Sequence, residues 1–260
     1  MHDFLEKLVS DAQKRIESGY YDIRDEAVHK AVSLKNAILS VENNAIIAEI
    51  KPASPSLGQL RVDLDPVDAA IRMVKAGAIG LSVLTEPDNF RGSLTNLLRI
   101  RSHVSVPLLM KDIIIDKRQV RAGVSAGADC VLLIKSAFSK TTGNTLDEII
   151  DFAHNCSSEV MLEVHDENEL EFAVGSGADI IGVNNRNLEN LQTDLSTTLK
   201  LVGSGLVHNH PRKTIVSESG FAKAEDIRRV KSKAIDGFLI GSSIMLSQDL
   251  ESKVREFVFA

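Results

Sequence analysis

The chain has 260 residues, of which 43% are hydrophobic and 25% charged, the composition of an ordinary globular protein large enough for one sizeable core. Its formal net charge of −6 predicts no basic surface, so we expect no nucleic-acid partner. The first residues are charged and no apolar run approaches the roughly 18 residues that span a bilayer. We therefore expect neither a secretory signal peptide nor a membrane partner.

Two cysteines bear on the cellular compartment. Cys130 lies inside an apolar run, and Cys156 follows a helical pattern. Two such residues are typical of free thiols in a reducing compartment and not of a disulfide framework. The sequence therefore predicts a cytoplasmic protein.

Two helical patterns open the chain. Residues 2–18 and 24–40 both place apolar side chains at helical spacing among charged ones, which predicts two amphipathic helices. Both precede the first apolar run of strand character. About residues 1–44 are therefore expected to form an N-terminal helical extension that caps one end of the fold or covers a site.

The first strand ends on two charges. Ile46–Ile50 has the apolar character of a strand buried on both faces. Glu49 and Lys51 are two residues apart, so both side chains point to the same side of that strand. Pro52 ends the strand, and a small polar loop containing Ser54 follows. This pattern is typical of an active-site floor, and a surface salt bridge at a strand edge is the alternative.

The same unit then recurs along the chain. Helical segments separate consecutive apolar runs, and Gly77, Gly127 and Gly177 suit the left-handed position after a helix. Alternating helices and buried strands predict a parallel sheet, and eight units predict a closed (β/α)₈ TIM barrel, here one domain over 1–260. A doubly wound open sheet is the alternative, but no glycine-rich turn follows Ile50. The runs are Ile46–Ile50, Gly80–Leu84, Pro107–Met110, Cys130–Ile134, Val160–Leu162, Ile180–Val183, Thr214–Val216 and Gly237–Ile240.

Ionisable residues stand at the ends of several of these runs. In a barrel, catalytic groups come from the C-terminal ends of the strands. Lys111 and Glu163 directly follow apolar runs, and Glu49, Lys51 and Glu218 occupy equivalent positions. Five ionisable groups are thus expected to converge on one rim as a catalytic site, with a ring of structural salt bridges as the alternative.

The last two strands predict a phosphate site. Ser219-Gly220 and Gly241-Ser242 each stand between a strand and a helical segment, where backbone N–H groups bind anions. Plain helix capping by serine is the alternative. The histidines are weaker candidates: His165 is interpreted as a loop residue, and the segment 208–210 as a polar loop. No metal site is expected.

Taken in order along the chain, these residues resemble the indole-3-glycerol phosphate synthase family. The two N-terminal helices also agree with the extension that this family carries. Pro52 and Leu57 depart from the family pattern, which often has basic or other polar residues there. The matching blocks are Ile47–Lys51, Ser54–Ser56, Ser82–Glu86, Leu109–Asp112, Leu162–His165, Gly182–Leu188, Ser217–Gly220 and Gly241–Ser243.

The resemblance implies a ring closure without a cofactor. The substrate would be 1-(2-carboxyphenylamino)-1-deoxyribulose 5-phosphate, whose ring carbon attacks the ketone before carbon dioxide and water leave. Lys111 would be the general acid at the ketone oxygen, with a pKa lowered by neighbouring cations and by the low-dielectric rim. Glu163 would move protons during dehydration, and Lys51, held by Glu49, would assist or bind the substrate carboxylate.

The resemblance also implies binding roles for the other rim residues. Asn184 and Arg186 would grip the substrate carboxylate, Glu218 would order the cations, and Phe90 would pack near the substrate ring. The phosphate would bind at Ser54, Ser219, Gly220, Gly241 and Ser242.

Two other functions are compatible with the sequence. A sugar-phosphate isomerase on the same barrel would share the phosphate loops, but it typically uses a Cys/Asp or Asp/Asp pair, which these strand ends lack. A catalytically silent barrel that binds a phosphorylated metabolite is the other alternative.

A monomer or weak homo-oligomer is expected.

Overall fold

The computed structural model describes residues 4–23, 27, 30–54, 58–61, 64–187, 191–208 and 213–260, and only the backbone of Ser54 and His208. Eight parallel strands close into a barrel in which each strand pairs with its neighbours in the chain and the last pairs with the first. The predicted TIM barrel is therefore confirmed. The strands are β1 (Ala45–Ile50), β2 (Gly80–Leu84), β3 (Leu108–Lys111), β4 (Cys130–Ile134), β5 (Glu159–Val164), β6 (Ile180–Asn184), β7 (Thr214–Glu218) and β8 (Gly237–Ile240).

Helices separate the strands and form the outer layer. Several begin at a side chain that accepts a hydrogen bond from the first turn, as Asp116 and Thr145 do in full capping boxes. The helices are α1 (Phe4–Glu17), α2 (Leu34–Leu39), α3 (Pro66–Lys75), α4 (Leu94–Arg101), α5 (Lys117–Ser125), α6 (Leu146–Asn155), α7 (Glu167–Gly175), α8 (Ser196–Gly203), α9 (Ala224–Val230), α10 (Ser242–Met245) and α11 (Leu250–Val258).

Smaller elements complete the connections. Ala53–Ser54 pairs with Gly58–Gln59 in a two-stranded ribbon after β1, and two 3-10 turns cover Lys135–Ser139 and Leu206–His208. At the helix-to-strand junctions, Gly77 and Gly127 have the expected positive φ, at 107° and 97°. That expectation is wrong for Gly177, because α7 ends at Gly175 and Ser176 is already extended with ψ 172°.

The second N-terminal helix is shorter than expected. The prediction of a helix over 24–40 is wrong at its start, since residues 30–33 are not helical and α2 begins at Leu34. Residues 24–26, 28 and 29 lie outside the described part of the chain. The physical reason is local bonding: the Val32 N–H donates to Asp129, and the Ser33 hydroxyl donates to Glu159. These bonds hold the chain extended against the N-terminal ends of the strands.

The two helices of the extension lie at opposite ends of the barrel. In α2, Leu34 and Ile38 are buried, next to Gly80 and Gly237 at the starts of β2 and β8. Helix α1 instead reaches the C-terminal ends of the strands, where Phe4 and Leu8 line a cavity. One helix thus closes the base of the barrel and the other covers its mouth. Among the described residues, no helix is both long and apolar enough to cross a membrane.

Helix α1 is fixed by an ion cluster around the buried Arg15 side chain. The Arg15 guanidinium lies 2.8 Å from Glu86 and 2.7 Å from Asp88, and 3.9 Å from Asp112. The Tyr21 hydroxyl donates to the Asp112 carboxylate at 3.2 Å. These contacts join the extension to the ends of β2 and β3, directly beside the mouth of the barrel.

Candidate active site

A cavity of about 310 Å³ opens at the C-terminal ends of the strands, beneath α1. This is the end of a parallel barrel at which enzymes carry their catalytic groups. Its walls are part apolar and part charged, so it suits a molecule with an aromatic ring and ionic groups. The apolar lining includes Phe4, Leu8, Leu84, Phe90, Ile113, Leu132, Ile134 and Leu191.

Lys111 lies at the centre of the charged wall. Its ammonium nitrogen is 3.1 Å from a carboxylate oxygen of Glu163 and 3.1 Å from one of Glu218. Burial would lower the pKa of Lys111, but Glu163, Glu218 and Glu49 outweigh it and raise that pKa above its usual range. The expected lowering by neighbouring cations is therefore wrong, because carboxylates and not cations surround the lysine.

Glu163 is held by groups on two sides. Its Oε2 faces Lys111, and its Oε1 accepts a hydrogen bond from the Asn184 amide at 2.8 Å and lies 3.3 Å from the His165 ring. Burial alone would raise the pKa of Glu163, but Lys111 and then His165 outweigh it and hold that pKa well below its usual range. The carboxylate is therefore ionised and fixed in orientation.

Glu218 is buried in a different setting. Only 1% of its side chain is exposed, and its Oε1 has no hydrogen-bond partner among the described residues. Burial raises the pKa of Glu218 to about 7; Lys111 opposes this rise, and Glu163 and Glu49 add to it. Lys111 thus stands between a firmly ionised carboxylate and one that titrates near neutral pH.

Glu49 and Lys51 point to the same side of the barrel, as the spacing predicts. Their charged atoms lie 3.1 Å apart, and Glu49 is almost fully buried. Ser82 donates a long hydrogen bond of 3.4 Å to Glu49. The Lys51 ammonium lies 5.8 Å from the centre of the Phe90 ring. Lys51 is therefore the second cation of the cavity. It is paired with Glu49 and lies beside the aromatic ring of Phe90.

The loops after β7 and β8 both contribute residues to the cavity lining. Ser219 and Gly220 have positive φ values of 69° and 92°, and both line the cavity together with Gly241 and Ser242. A Cβ at Gly220 would lie 2.7 Å from Thr193, so only glycine fits this turn. The exposed backbone here suits an anion.

Arg186 lines the cavity after β6. Its backbone N–H donates to the Asn184 side chain at 2.9 Å, and its guanidinium donates to the Leu191 carbonyl at 3.0 Å. Burial lowers the pKa of Arg186, and Glu49 opposes this effect. The arginine thus adds a third cation to the cavity lining.

The cavity brings together the expected residues of the site, with one exception. The Ser54 side chain lies outside the described part of the chain, as do residues 209 and 210 of the polar loop. The twelve expected residues that line the cavity are Glu49, Lys51, Phe90, Lys111, Glu163, Asn184, Arg186, Glu218, Ser219, Gly220, Gly241 and Ser242.

Three features were missed by sequence reasoning. Phe4 and Leu8 belong to a helix that was expected to cap one end of the fold or to cover a site, but nothing in their spacing pointed to this cavity. Arg15 resembles an ordinary charged residue of an amphipathic helix, yet it is buried. His165 does follow a strand as a loop residue, but its position two residues after Glu163 was a usable signal for the contact between them.

The fold and the site define a class: a (β/α)₈ barrel with buried, oppositely charged side chains at the C-terminal ends of its strands, where enzymes of this fold act. The family model of indole-3-glycerol phosphate synthase matches residues 5–257. The chain belongs to the indole-3-glycerol phosphate synthase family.

Curated relatives agree with the family model. The chain is 40% identical over 260 residues to an indole-3-glycerol phosphate synthase from Methanocaldococcus jannaschii, covering 99% of this chain and 90% of the relative. It is 38% identical over 242 residues to one from Acetivibrio thermocellus, covering 93% of this chain and 90% of the relative.

Solved structures of low sequence identity share the barrel. The N-acetylmannosamine-6-phosphate 2-epimerase from Clostridium perfringens is 12% identical with a TM-score of 0.62, over 84% of this chain and 93% of that one. The thiamine phosphate pyrophosphorylase from Pyrococcus furiosus is 16% identical with a TM-score of 0.61, over 86% and 96% of the two chains. At this identity they support the fold alone.

Proposed function

We propose that this cavity closes the indole ring in tryptophan biosynthesis, as an indole-3-glycerol-phosphate synthase, a carboxy-lyase. The substrate is 1-(2-carboxyphenylamino)-1-deoxyribulose 5-phosphate. Its ring carbon attacks the ketone carbon, and carbon dioxide and then water leave. The observation that carries this proposal is Lys111 held between Glu163 and Glu218 at the mouth of a barrel of this family.

Lys111 is the proposed acid at the ketone oxygen. Its raised pKa keeps it an ammonium at neutral pH, so it holds a proton for the oxygen as the carbon–carbon bond forms. Two carboxylates fix the direction of that ammonium. A cation already aimed at the developing negative charge lowers the barrier without a further cost of reorientation.

Glu163 is the proposed acid–base group of the dehydration. It is ionised and oriented, so it can accept a proton and return it as water leaves. Glu218, with its pKa near neutrality, orders Lys111 from the other side. Lys51, paired with Glu49, either assists this step or binds the substrate carboxylate.

The remaining residues are proposed to hold the substrate. Asn184 and Arg186 bind the carboxylate and orient the ring, and Phe90 packs near the ring. Because both ends of the substrate are held, the ring carbon and the ketone carbon are already positioned for the bond to form, which lowers the entropic cost of the step. The phosphate is assigned to Ser54, Ser219, Gly220, Gly241 and Ser242.

The cellular setting belongs to the same proposal. The net charge of −6 and two free cysteines support a cytoplasmic protein without a nucleic-acid partner. One domain and a monomer or weak homo-oligomer remain our expectation.

A fluorescence assay for indole product with the purified full chain tests the function. We expect the wild-type protein to form product and Lys111→Ala to lose turnover by about a hundredfold or more. Lys14→Ala, which removes a largely exposed lysine from α1, is the control and should keep full activity. Absence of product with the wild type would overturn the function, whereas normal turnover of Lys111→Ala would overturn only the acid assignment.

A further inference from the structure

His165 lies between two carboxylates at the edge of the cavity. Its Nε2 is 3.3 Å from the Oε1 atom of Glu163, and its Nδ1 is 3.3 Å from the Oε2 atom of Glu169. The same oxygen of Glu169 accepts the backbone N–H of His165 at 2.8 Å. One ring nitrogen therefore contacts Glu163 in the cavity wall, and the other contacts Glu169 in α7, outside the cavity.

Local sequence explains this arrangement. Glu163 and His165 are two residues apart at the end of β5, so they lean to the same side. Asp166 then begins α7 by accepting the N–H of Glu169, which turns the chain back. Glu169 stands in the first turn of α7, where its carboxylate reaches the preceding loop.

The two flanking carboxylates favour the charged imidazolium form of the ring. The Nδ1 atom hydrogen-bonds Glu169, whereas the Nε2 atom, 3.3 Å from Glu163, makes a charge contact without hydrogen-bond geometry. Burial would lower the pKa of His165, but Glu163 and Glu169 outweigh it and raise that pKa to about 10. In the part of the chain that the structure describes, Lys135 on the neighbouring 3-10 turn is directed elsewhere, over the Phe172 ring at 4.7 Å.

The carboxylate of Glu163 faces a different cation at each oxygen. Lys111 lies at Oε2, and His165 lies at Oε1 beside the Asn184 amide. Lys111 divides its charge between Glu163 and Glu218. His165 is therefore a second positive charge beside Glu163. Among the residues that line the cavity, Glu163 is the carboxylate that His165 contacts.

We propose that His165, held by Glu169, is a positioning residue that orients Glu163 and keeps it ionised for the reaction. This inference rests on the proposed function, because it deepens the role of Glu163 there. His165 itself does not line the cavity; it acts through the carboxylate.

A purely structural tie between β5 and α7 is the alternative. Such a tie would lower the thermal stability of a variant without moving the pH dependence of its turnover. A positioning role predicts instead that turnover falls more than the Michaelis constant changes. It also predicts that the pH limits of turnover move, because the charge beside Glu163 has changed.

The experiment measures kcat and KM for indole formation between pH 5 and 10, with the full chain. In His165→Asn kcat should fall by about tenfold at neutral pH, with KM changed by about twofold at most, and the basic limit of kcat that the His165 proton sets should shift. In Glu169→Gln the imidazole remains but loses its partner, so the basic limit of kcat should move to lower pH.

The control is a second histidine with the same kind of partner. His154 on α6 lies 2.9 Å from Asp179, which precedes β6 at the opposite end of that strand from Asn184, and His154 does not line the cavity. His154→Asn should leave both pH limits in place. Circular dichroism and the melting temperature identify any variant that does not fold.

The outcomes separate the two proposals. A wild-type protein without product would overturn the proposed function itself. An active wild type with unmoved pH limits in both His165→Asn and Glu169→Gln would overturn the positioning role alone. Should His165→Asn fail to fold, Glu169→Gln decides: a lowered basic limit supports the role, and an unchanged one overturns it.

Discussion

Arg15 in the first helix and Glu86 at the end of β2 form a buried ion pair of 2.8 Å, although 71 positions separate them in the chain. The Glu86 carboxylate also accepts the backbone N–H groups of Asn89 and Phe90, at 2.7 and 2.9 Å. The arginine therefore fixes the loop that carries Phe90 to the cavity wall. The N-terminal extension is thereby part of the architecture of the site.

Replacing Arg15 tests this link. Arg15→Met keeps the length of the side chain but leaves Glu86 and Asp112 buried without their cation, which should cost about 3 kcal/mol of unfolding free energy. The loop of Phe90 should loosen, so KM should rise severalfold while kcat falls less. Urea unfolding and steady-state kinetics measure both effects. Lys14→Met, an exposed neighbour on the same helix, should change neither quantity, and an equally neutral Arg15→Met would refute the link.

Gly182 provides the space in which Glu218 lies. The register pairs Gly182 with Glu163 on β5, and a Cβ at this glycine would collide with the Glu218 carboxylate and lie 2.6 Å from Met161. Gly182→Ala should therefore displace Glu218 from Lys111 and reduce kcat by about tenfold or more. Gly175→Ala is the matched control, because nothing lies within 4 Å of its added methyl group. Equal kinetics of the two variants would show that Glu218 needs no such space.

Much of the fold and of the candidate site can be predicted from the alternation of apolar runs and helical segments in the sequence. Apolar runs with helical segments between them predict a barrel. Because the strands are parallel, the C-terminal ends of all of them lie on one rim. For this reason the convergence of Glu49, Lys111, Glu163 and Glu218 on one rim could be predicted without coordinates. Chain topology, rather than any single residue, carried that prediction.

The sequence pattern does not predict which side chains lie next to each charged group. Lys111 meets Glu163 and Glu218 from strands 52 and 107 positions away, and the direction of its pKa depends on those distances. Arg15 has the spacing of an exposed residue at the edge of an apolar face. Helix α2 starts late because Ser33 and Val32 bond to side chains of distant strands. These outcomes depend on tertiary contacts that local sequence does not encode.

The phosphate assignment is tested by adding a negative charge. Ser242 is the first residue of α10 and lines the cavity. Ser242→Glu should repel a substrate phosphate and raise KM by about tenfold or more, because like charges at short range in a partly buried site are unfavourable. Ser232→Glu adds the same charge at an exposed position before β8 and should leave KM unchanged. An unaltered KM in Ser242→Glu would mean that the phosphate lies elsewhere.

The stability of the folded protein should also depend on pH through His165. Its pKa of about 10 in the folded protein lies above the ordinary value of 6.5, so the folded state binds this proton more tightly than the unfolded chain. The stabilisation is fully present below pH 6.5 and is lost as the pH rises through about 10. In urea unfolding at pH 6, 8 and 10, the wild type should therefore lose on the order of a few kcal/mol relative to His165→Asn. Groups that do not contact His165 titrate alike in both proteins and cancel in the difference, so parallel pH curves would show that His165 carries no charge in the folded state.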